Sequence, residues 1–389
     1  MSIQKKSAIS IIERKGFNNL ISMYDLNKSK VIKKLSDDKW FQELQYEKEE
    51  NEKGDYPSFQ WFTDIELIYY FVHKPKDTDD KKNRNRDTRK DYIRELLQFY
   101  KQIHDFSDEI RSDVNDYQET SLFKLLRKRH IRRYQEWLKN APLGKKGKNY
   151  SAATLSWKTV VMKSFLTWLY RAGYINEDVT LDLVSTNLRE WDRPNRELSY
   201  DQVSQILDYY KDHTINYALL SVLATTGARV AEIANSKFCD LYYDAYNGKY
   251  WLKIIGKGNK PRELLIFNNV FERIIAFRKR RGLSTKLDHN DQSPLFTTNK
   301  LKPYSPKYLS SYISDIIQKA KIDVLKHTGK IGPHHFRHYF AIYSAQNGAD
   351  IFRIQQTLGH ESIETTKVYL ERYMKKENNV ALLWDESKF

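Results

Sequence analysis

Apolar residues recur at helical spacing along most of the chain. Positions 92, 96, 97, 100 and 103 fall on one helical face, which predicts a helix from Asp91 onward. The same pattern predicts helices over most of 121–140, 157–172, 202–210, 217–225, 268–282, 306–320, 334–347 and 350–358. Glycines mark several expected helix ends, as at Gly173 and Gly227, because glycine readily takes the left-handed conformation found there.

One stretch departs from helical spacing. Residues 249–255 are rich in aromatic and β-branched side chains and predict a strand, and 262–266 predict its return strand. The glycine-containing segment 256–260 between them predicts a tight turn. The chain is therefore expected to be mainly α with a small β-sheet.

Two polar, highly charged stretches, 74–90 and 192–196, interrupt the helical pattern and predict linkers or exposed loops. Residues 1–80 form a segment of unknown role, either a small accessory domain or an extension of the neighbouring helical region. That helical region spans residues 85–190, and a mixed α/β region spans 197–375. A tail at 376–389 carries an apolar patch at 380–384.

The charge of the chain points to a polyanionic partner. Lys and Arg total 66 against 50 Asp and Glu, giving a net charge of +16. Basic residues concentrate in the predicted helix 121–140 and in the loop after it, where they suit contacts to a duplex backbone. The alternative is a solvated helix face. The candidate DNA-binding residues are Arg127, Lys128, Arg129, Arg132, Arg133, Lys145, Lys146 and Lys148.

Composition also narrows the chemistry. Cys239 is the only cysteine, so one chain cannot build a disulfide framework or a cysteine-based zinc site, which fits the cytosol. No apolar run is long enough to cross a bilayer, and no apolar block follows the first residues as in a signal peptide. We therefore expect a cytoplasmic protein with no membrane partner.

Neither a metal nor a nucleotide is expected as a cofactor. The run His334, His335 and His338 lacks the glutamate of the His-Glu-x-x-His zinc pattern. The turn at 256–260 lacks the Gly-x-x-x-x-Gly-Lys pattern of a phosphate-binding loop.

An arginine and a lysine in the middle of the chain are candidates for a phosphate site. Arg229 follows Gly227 at a break between two helices, where its guanidinium can reach a ligand. Glu232 lies one helical turn later and can orient it, although such a pair is often purely structural. Lys257 occupies the tip of the predicted hairpin, where a lysine often serves only solubility.

The C-terminal region supplies the remaining chemistry. His334 and Arg337 lie one turn apart on a predicted helix and can serve one phosphate. His360 follows the expected helix end at Gly359, and Tyr369 comes shortly after it. A histidine can move a proton near neutral pH, and a tyrosine hydroxyl can form a covalent ester. We expect the two other histidines of the run, His335 and His338, to pack or give support.

Four blocks, at 225–233, 255–262, 333–338 and 358–369, jointly resemble the tyrosine recombinase (phage integrase) family. Their pattern is nearest to Xer-like recombinases and to transposon or conjugative-element integrases. The resemblance covers 197–375, where it implies a mixed α/β tyrosine recombinase catalytic domain. More weakly, it implies that 85–190 is a helical core-binding domain that clamps DNA.

The resemblance also implies roles for individual residues. The tyrosine would attack the scissile phosphate, form a 3′-phosphotyrosyl bond and release a 5′-hydroxyl. The two arginines would hold the non-bridging oxygens, the lysine would protonate the leaving oxygen, His334 would assist proton transfer, and His360 would bind a phosphate oxygen. The implied catalytic set is Arg229, Lys257, His334, Arg337, His360 and Tyr369, with Glu232 in support and no cofactor.

The implied function is site-specific DNA recombination, for integration or excision of a mobile element or for resolution of DNA. Its implied partners are double-stranded recombination sites, a tetramer of this chain on two sites, and accessory DNA-bending proteins. The tail at 376–389 would dock on a neighbouring protomer, the alternative being a tail packed on its own domain. Two other functions stay open: a catalytically silent DNA-binding protein on the same scaffold, and a type IB topoisomerase-like enzyme.

Overall fold

The computed structural model describes residues 24–186, 189, 192–256, 259–320, 322–326 and 329–385, without the side chains of Lys81 and Val324. The chain divides into two units, Met1–Pro194 and Asn195–Phe389. The division falls inside the polar stretch 192–196. Across the described ranges, no helix combines the length and apolarity needed to cross a membrane.

The first unit is helical. Its helices are α1 (Lys28–Leu35), α2 (Phe41–Lys53), α3 (Asp64–His73), α4 (Arg86–Asp105), α5 (Ser107–Val114), α6 (Leu122–Leu125), α7 (Lys128–Asn140) and α8 (Ala152–Arg171). One hydrophobic core runs from Tyr24 to Val179. Trp168 of α8 joins it to the N-terminal helices, with ring centroids 5.3 Å from Phe59 and 5.4 Å from Phe71. Residues 24–73 therefore share the hydrophobic core of the helical unit.

The single helix predicted over 121–140 is wrong. Leu126 and Arg127 adopt extended backbone conformations between α6 and α7. The Arg127 guanidinium donates hydrogen bonds to the carbonyls of Lys124 and Leu126, at 3.0 and 2.9 Å. Its backbone N–H donates to Nδ1 of His130 at 3.1 Å. Side chains thus satisfy the groups exposed by the break, and apolar spacing alone does not reveal this.

The second unit combines helices with a three-stranded sheet. Its elements are α9 (Tyr200–Tyr209), α10 (Thr214–Thr226), α11 (Val230–Asn235), β1 (Leu241–Asp244), β2 (Lys249–Ile255), β3 (Pro261–Ile266), α12 (Asn268–Arg280), α13 (Pro306–Lys319), α14 (Pro333–Gln346), α15 (Ile351–Leu358) and α16 (Ile363–Glu377). The strands are antiparallel in the order β1-β2-β3. Both the predicted hairpin and the predicted mainly α fold with a small sheet are confirmed. Strand β1 was missed because four residues give too short a pattern.

Two helix ends in this unit require glycine. Gly227 ends α10 with φ 59°, and Gly359 ends α15 with φ 65°. A Cβ on Gly227 would lie 2.7 Å from Phe340 and 2.8 Å from Leu358. The chain therefore turns sharply at both positions while other elements pack close to it.

Helices α14, α15 and α16 pack around a small apolar cluster at the end of this unit. Buried side chains of Ala341, Ile342, Ile354, Leu358 and Leu370 form it. Tyr369 packs against the cluster from α16 and is partly buried. The packing therefore brings the C-terminal tyrosine next to the helix that carries the run of histidines.

Candidate active site

Arg337 is the most buried cation of the site. It lies on α14 with 1% of its surface exposed. Its Nη1 donates to the Gly227 carbonyl and its Nη2 to the Leu358 carbonyl, both at 2.7 Å. Burial and the charge of Arg229 lower the pKa of Arg337 to about 10, while interactions with Tyr369 and Glu232 raise it. The guanidinium stays charged at neutral pH and is fixed by the carbonyls of two helix ends.

A buried carboxylate holds Arg229, the N-cap residue immediately before α11. Its Nη1 lies 2.9 Å from Oε1 of Glu232, and its backbone N–H donates to Oε2 at 2.7 Å. Its Nη2 reaches the Gly359 carbonyl at 3.4 Å. The side chain of Glu232 is 4% exposed, and that of Arg229 is 27% exposed. Arg229 is thus anchored at one end and accessible at the other.

Arg262 of β3 also belongs to this network. It donates to both oxygens of Glu232, at 2.8 and 2.7 Å, and its Nε donates to the Thr357 carbonyl at 3.1 Å. Burial raises the pKa of Glu232, but hydrogen bonds and charges from Arg262 and Arg229 outweigh it and lower that pKa. Sequence reasoning gave Arg262 no role, although it closes the family-like block 255–262. Its partners lie too far away in the chain for any local pattern.

Tyr369 lies between two imidazole rings. Its ring stacks on His338 with centroids 3.8 Å apart and planes 6° from parallel. The ring of His360 lies 4.9 Å from it on centroids. Burial and nearby positive charges lower the pKa of both histidines to about 3. At neutral pH both rings are uncharged, so they confine the tyrosine without adding positive charge.

The buried ring of His360 has a defined partner. Its Nδ1 lies 2.9 Å from Oγ1 of Thr366 on α16. Burial lowers the pKa of His360, and the charges of Arg337, Arg229 and Arg262, in that order, lower it further. All of the arginines in the network thus act on this ring, which favours its neutral form.

The two neighbouring histidines at the start of α14 differ. His334 is exposed, and desolvation by nearby protein followed by the charges of Arg196, Arg337 and Arg229 lowers its pKa. His335 instead uses Nδ1 to accept the Gly332 N–H at 3.1 Å, which caps the helix. At the start of α14, His334 is therefore exposed, whereas His335 is half-buried and bonded to the backbone. Lys257 lies outside the described residues.

The candidate DNA-binding residues of the first unit fall into two groups. Lys128, Arg129 and Arg132 pair with carboxylates of Glu177, Asp113 and Asp182 at 3.5, 2.5 and 3.8 Å. Arg127 stabilises the break before α7. The second group is exposed, with no carboxylate partner in the part of the chain that the structure describes: Arg133, Lys145, Lys146 and Lys148.

The described side chains include no group of three or more His, Cys, Asp or Glu placed to hold a metal ion. The groups that converge in the second unit include the guanidinium groups of Arg229 and Arg337, the neutral imidazoles of His338 and His360, and the phenol of Tyr369. Such a set can bind a phosphate, stabilise added negative charge on it and supply an oxygen nucleophile.

Comparison with known proteins gives a consistent result. Residues 196–376 match the phage integrase family. The tyrosine recombinase XerC of Lactobacillus delbrueckii subsp. bulgaricus is 30% identical over 228 residues, covering 57% of this chain and 73% of that protein. XerC of Listeria monocytogenes is 30% identical over 230 residues, with 58% and 73% covered.

Solved structures share the fold at lower identity. The XerH site-specific recombinase bound to palindromic difH substrate, in a post-cleavage complex, aligns with a TM-score of 0.56. It is 20% identical, and the alignment covers 76% of this chain and 78% of that one. A lambda integrase dimer bound to a COC′ core site aligns with a TM-score of 0.53 at 13% identity, covering 78% and 75%.

Proposed function

This chain belongs to the tyrosine recombinase (phage integrase) family and is a site-specific recombinase, and from that premise we propose that Tyr369 is its nucleophile. The observation that carries the proposal is the convergence of Arg229, Arg337 and Tyr369. Both arginines donate to carbonyls at the end of α15, and the phenol lies close enough to Arg337 to raise its pKa. A phosphate held there has two cations and a nucleophile beside it.

In the proposed step, the Tyr369 oxygen bonds to the scissile phosphorus as the bond to the 5′-oxygen breaks. The phenolic proton passes to His334, whose lowered pKa keeps its ring neutral at pH 7. Lys257 supplies a proton to the leaving 5′-oxygen. A 5′-hydroxyl from the partner site then attacks the phosphotyrosine in the reverse sense, so no external energy source is consumed.

The arginines and His360 stabilise the charge that develops on the non-bridging oxygens. Arg337 keeps a buried Nε with no acceptor among the described residues, and Arg229 keeps an accessible face. For His360, we assign the Thr366 hydroxyl, 2.9 Å from Nδ1, as the donor to that nitrogen. The proton of the neutral ring then resides on Nε2, which can donate to a phosphate oxygen.

The first unit would bind the DNA backbone through its exposed basic residues, and accessory DNA-bending proteins would assist. The family relatives include a lambda integrase tetramer bound to a Holliday junction, which supports a tetramer of this chain on two sites. Similarity to both Xer recombinases and the Tn1549 transposon integrase supports either resolution of DNA or movement of an element. A DNA substrate would place this activity in the cytoplasm.

The C-terminal tail would dock on a second copy of the chain. The short helix Val380–Leu383 has no buried residue, and Leu383 and Trp384 are 87% and 60% exposed. An apolar tail of this kind gains stability by covering its surface. Removing residues 379–389 should abolish joining of two sites while one protomer still binds one site. Unchanged joining, measured with two marked duplexes, would rule out this role.

Covalent capture tests the nucleophile without knowledge of the target. The protein is incubated with nicked duplexes carrying randomised arms, and adducts that survive denaturation are isolated and sequenced. Wild type should form adducts, Tyr369→Phe should not, and Tyr373→Phe, one turn along α16, should form them normally. No adduct from wild type would support the silent protein instead. Joining of two marked duplexes separates a recombinase from a topoisomerase-like enzyme.

A further inference from the structure

We propose that Arg262 is a positioning residue for this reaction, acting through Glu232 on Arg229. The inference rests on the proposed function, because it assigns Arg229 to the scissile phosphate. Arg262 itself lies on β3 with only 12% of its side chain exposed.

The first argument concerns how Glu232 divides its oxygens. Arg262 takes both of them from one side, at 2.8 and 2.7 Å. The guanidinium of Arg229 is left with an end-on contact from Nη1 to Oε1, at 2.9 Å, while the backbone N–H of Arg229 donates to Oε2 at 2.7 Å. Without Arg262 the carboxylate would keep its bond from the Arg229 N–H, and its other lone pairs would be open to a two-point pair with the Arg229 guanidinium, which is the geometry guanidinium groups favour. Arg262 therefore prevents Arg229 from turning its phosphate-binding face toward Glu232.

The second argument concerns the end of α15. Nε of Arg262 donates to the Thr357 carbonyl at 3.1 Å, just before the carbonyls of Leu358 and Gly359 that receive Arg337 and Arg229. A Cβ built on Gly359 would lie 2.8 Å from Nη1 of Arg262. The guanidinium thus lies directly against this helix end. One side chain supports the anchors of both arginines.

The third argument concerns the hairpin. A Cβ on Gly256, which begins the turn between β2 and β3, would also lie 2.8 Å from Nη1 of Arg262. The Gly256 N–H closes that turn by donating to the Lys260 carbonyl at 2.8 Å. The guanidinium therefore occupies a space that two glycines leave open. Lysine, with a single charged nitrogen, cannot fill that space or bind two oxygens in a plane.

The test separates positioning of a phosphate-binding group from general support of the fold. Arg262→Ala, Arg262→Lys and Arg229→Ala are compared with wild type at saturating protein, on a site recovered by covalent capture. Arg353→Ala is the matched control, because Arg353 pairs with Asp350 on the surface of α15. We expect cleavage to slow by about 100-fold for Arg262→Ala and about 10-fold for Arg262→Lys, since losing one pre-organised donor has effects of this order. The control should be unchanged.

The decisive substrate carries a neutral methylphosphonate at the scissile position. It lacks the negative charge that Arg229 would neutralise, so Arg229→Ala and both Arg262 variants should cleave it within a few-fold of wild type. An Arg262→Ala variant that folds and is as impaired on this substrate as on the phosphodiester would overturn the proposal. So would wild-type cleavage of the phosphodiester by Arg262→Ala.

Two further outcomes are distinguishable. If Arg262→Ala does not fold, the same comparison is made with Arg262→Lys, which keeps the charge opposite Glu232. A smaller loss of cleavage on the methylphosphonate than on the phosphodiester supports the proposal. An equal loss on both substrates overturns it. If Tyr369→Phe still cleaves, the proposed function itself has failed, whatever the Arg262 variants do.

Discussion

The arginines of the candidate active site and those of α7 carry the same charge but are held in different ways. Arg337 is buried and fixed by two backbone carbonyls, whereas Arg133 is exposed on the surface of the first unit. Arg129 and Arg132 lie between these extremes, since each pairs with a carboxylate at the surface. Under the proposed function, the buried cations would serve geometry and the exposed ones would serve affinity for DNA.

The physical basis is the cost of reorganisation. A guanidinium already fixed by carbonyls does not have to order itself when charge develops on a phosphate, and the dry surroundings strengthen its effect. An exposed ion pair contributes only about 0.2–1 kcal/mol, so DNA phosphates can replace the carboxylate at little cost. Binding there releases counterions and depends on salt.

The largest effect should follow from Arg337→Ala. Cleavage should slow by about 1,000-fold because a pre-organised cation at the phosphate is lost. Arg337→Lys should restore little, since one ammonium cannot reach both the Gly227 and Leu358 carbonyls as the planar fork does. Single-turnover adduct formation, with DNA binding measured in parallel, checks this. A loss below tenfold in Arg337→Ala would contradict the role given to buried cations.

An intermediate effect concerns pH and stability. The folded state holds His338 and His360 neutral with pKa values of about 3, whereas an unfolded chain protonates them near 6.5. Between these values the unfolded state binds more protons. The free energy of unfolding of the second unit should therefore fall as the pH falls below 6.5, by at most about 1.4 kcal/mol per pH unit for each histidine.

Denaturant unfolding between pH 7 and 4 measures this dependence. His338→Phe keeps a flat ring against Tyr369 but has no titrating group, so its stability should fall less steeply with pH. His289→Phe is the control, because that residue lies on the surface with a side chain that is 90% exposed. Equal slopes for wild type and His338→Phe would contradict the account of the neutral imidazole environment.

The smallest effects should come from the exposed cations. Arg133→Ala and Lys148→Ala should each weaken DNA binding a few-fold and reduce the dependence of log affinity on log salt by about 0.9. Cleavage at saturating protein should not change. Lys48→Ala is a suitable control, since its amine pairs with Glu52 on α2. If Arg133→Ala instead slowed cleavage at saturation, the division between geometry and affinity would fail.

The sequence allowed much of the second unit to be predicted, because its helices carry clear apolar faces. The helix predicted at 306–320 is observed at Pro306–Lys319, and the helix predicted at 350–358 is observed at Ile351–Leu358. The prediction that a helix ends at Gly227 is also confirmed. The positive φ and the close packing at this position exclude a residue with a Cβ. Periodicity and turn chemistry are local, so one chain segment suffices to show them.

Contacts between residues far apart in the sequence could not be predicted. Phe59 packs against Trp168 and so joins residues 24–73 to the core of the helical unit. No local sequence pattern shows this contact. The pair Arg262–Glu232 and the stack of His338 on Tyr369 likewise join separate elements. The sequence pattern predicted that His338 would pack or give support, but not that its ring would stack on Tyr369.

The most direct test of the account is to locate the DNA on the protein. Adducts from the randomised nicked duplexes are digested with nuclease and trypsin, and the modified peptide is sequenced by mass spectrometry. We predict a nucleotide attached to the tyrosine of the peptide Val-Tyr-Leu-Glu-Arg, residues 368–372, which contains Tyr369 and no other tyrosine. A nucleotide on any other peptide, or an adduct that persists in Tyr369→Phe, would contradict the central claim.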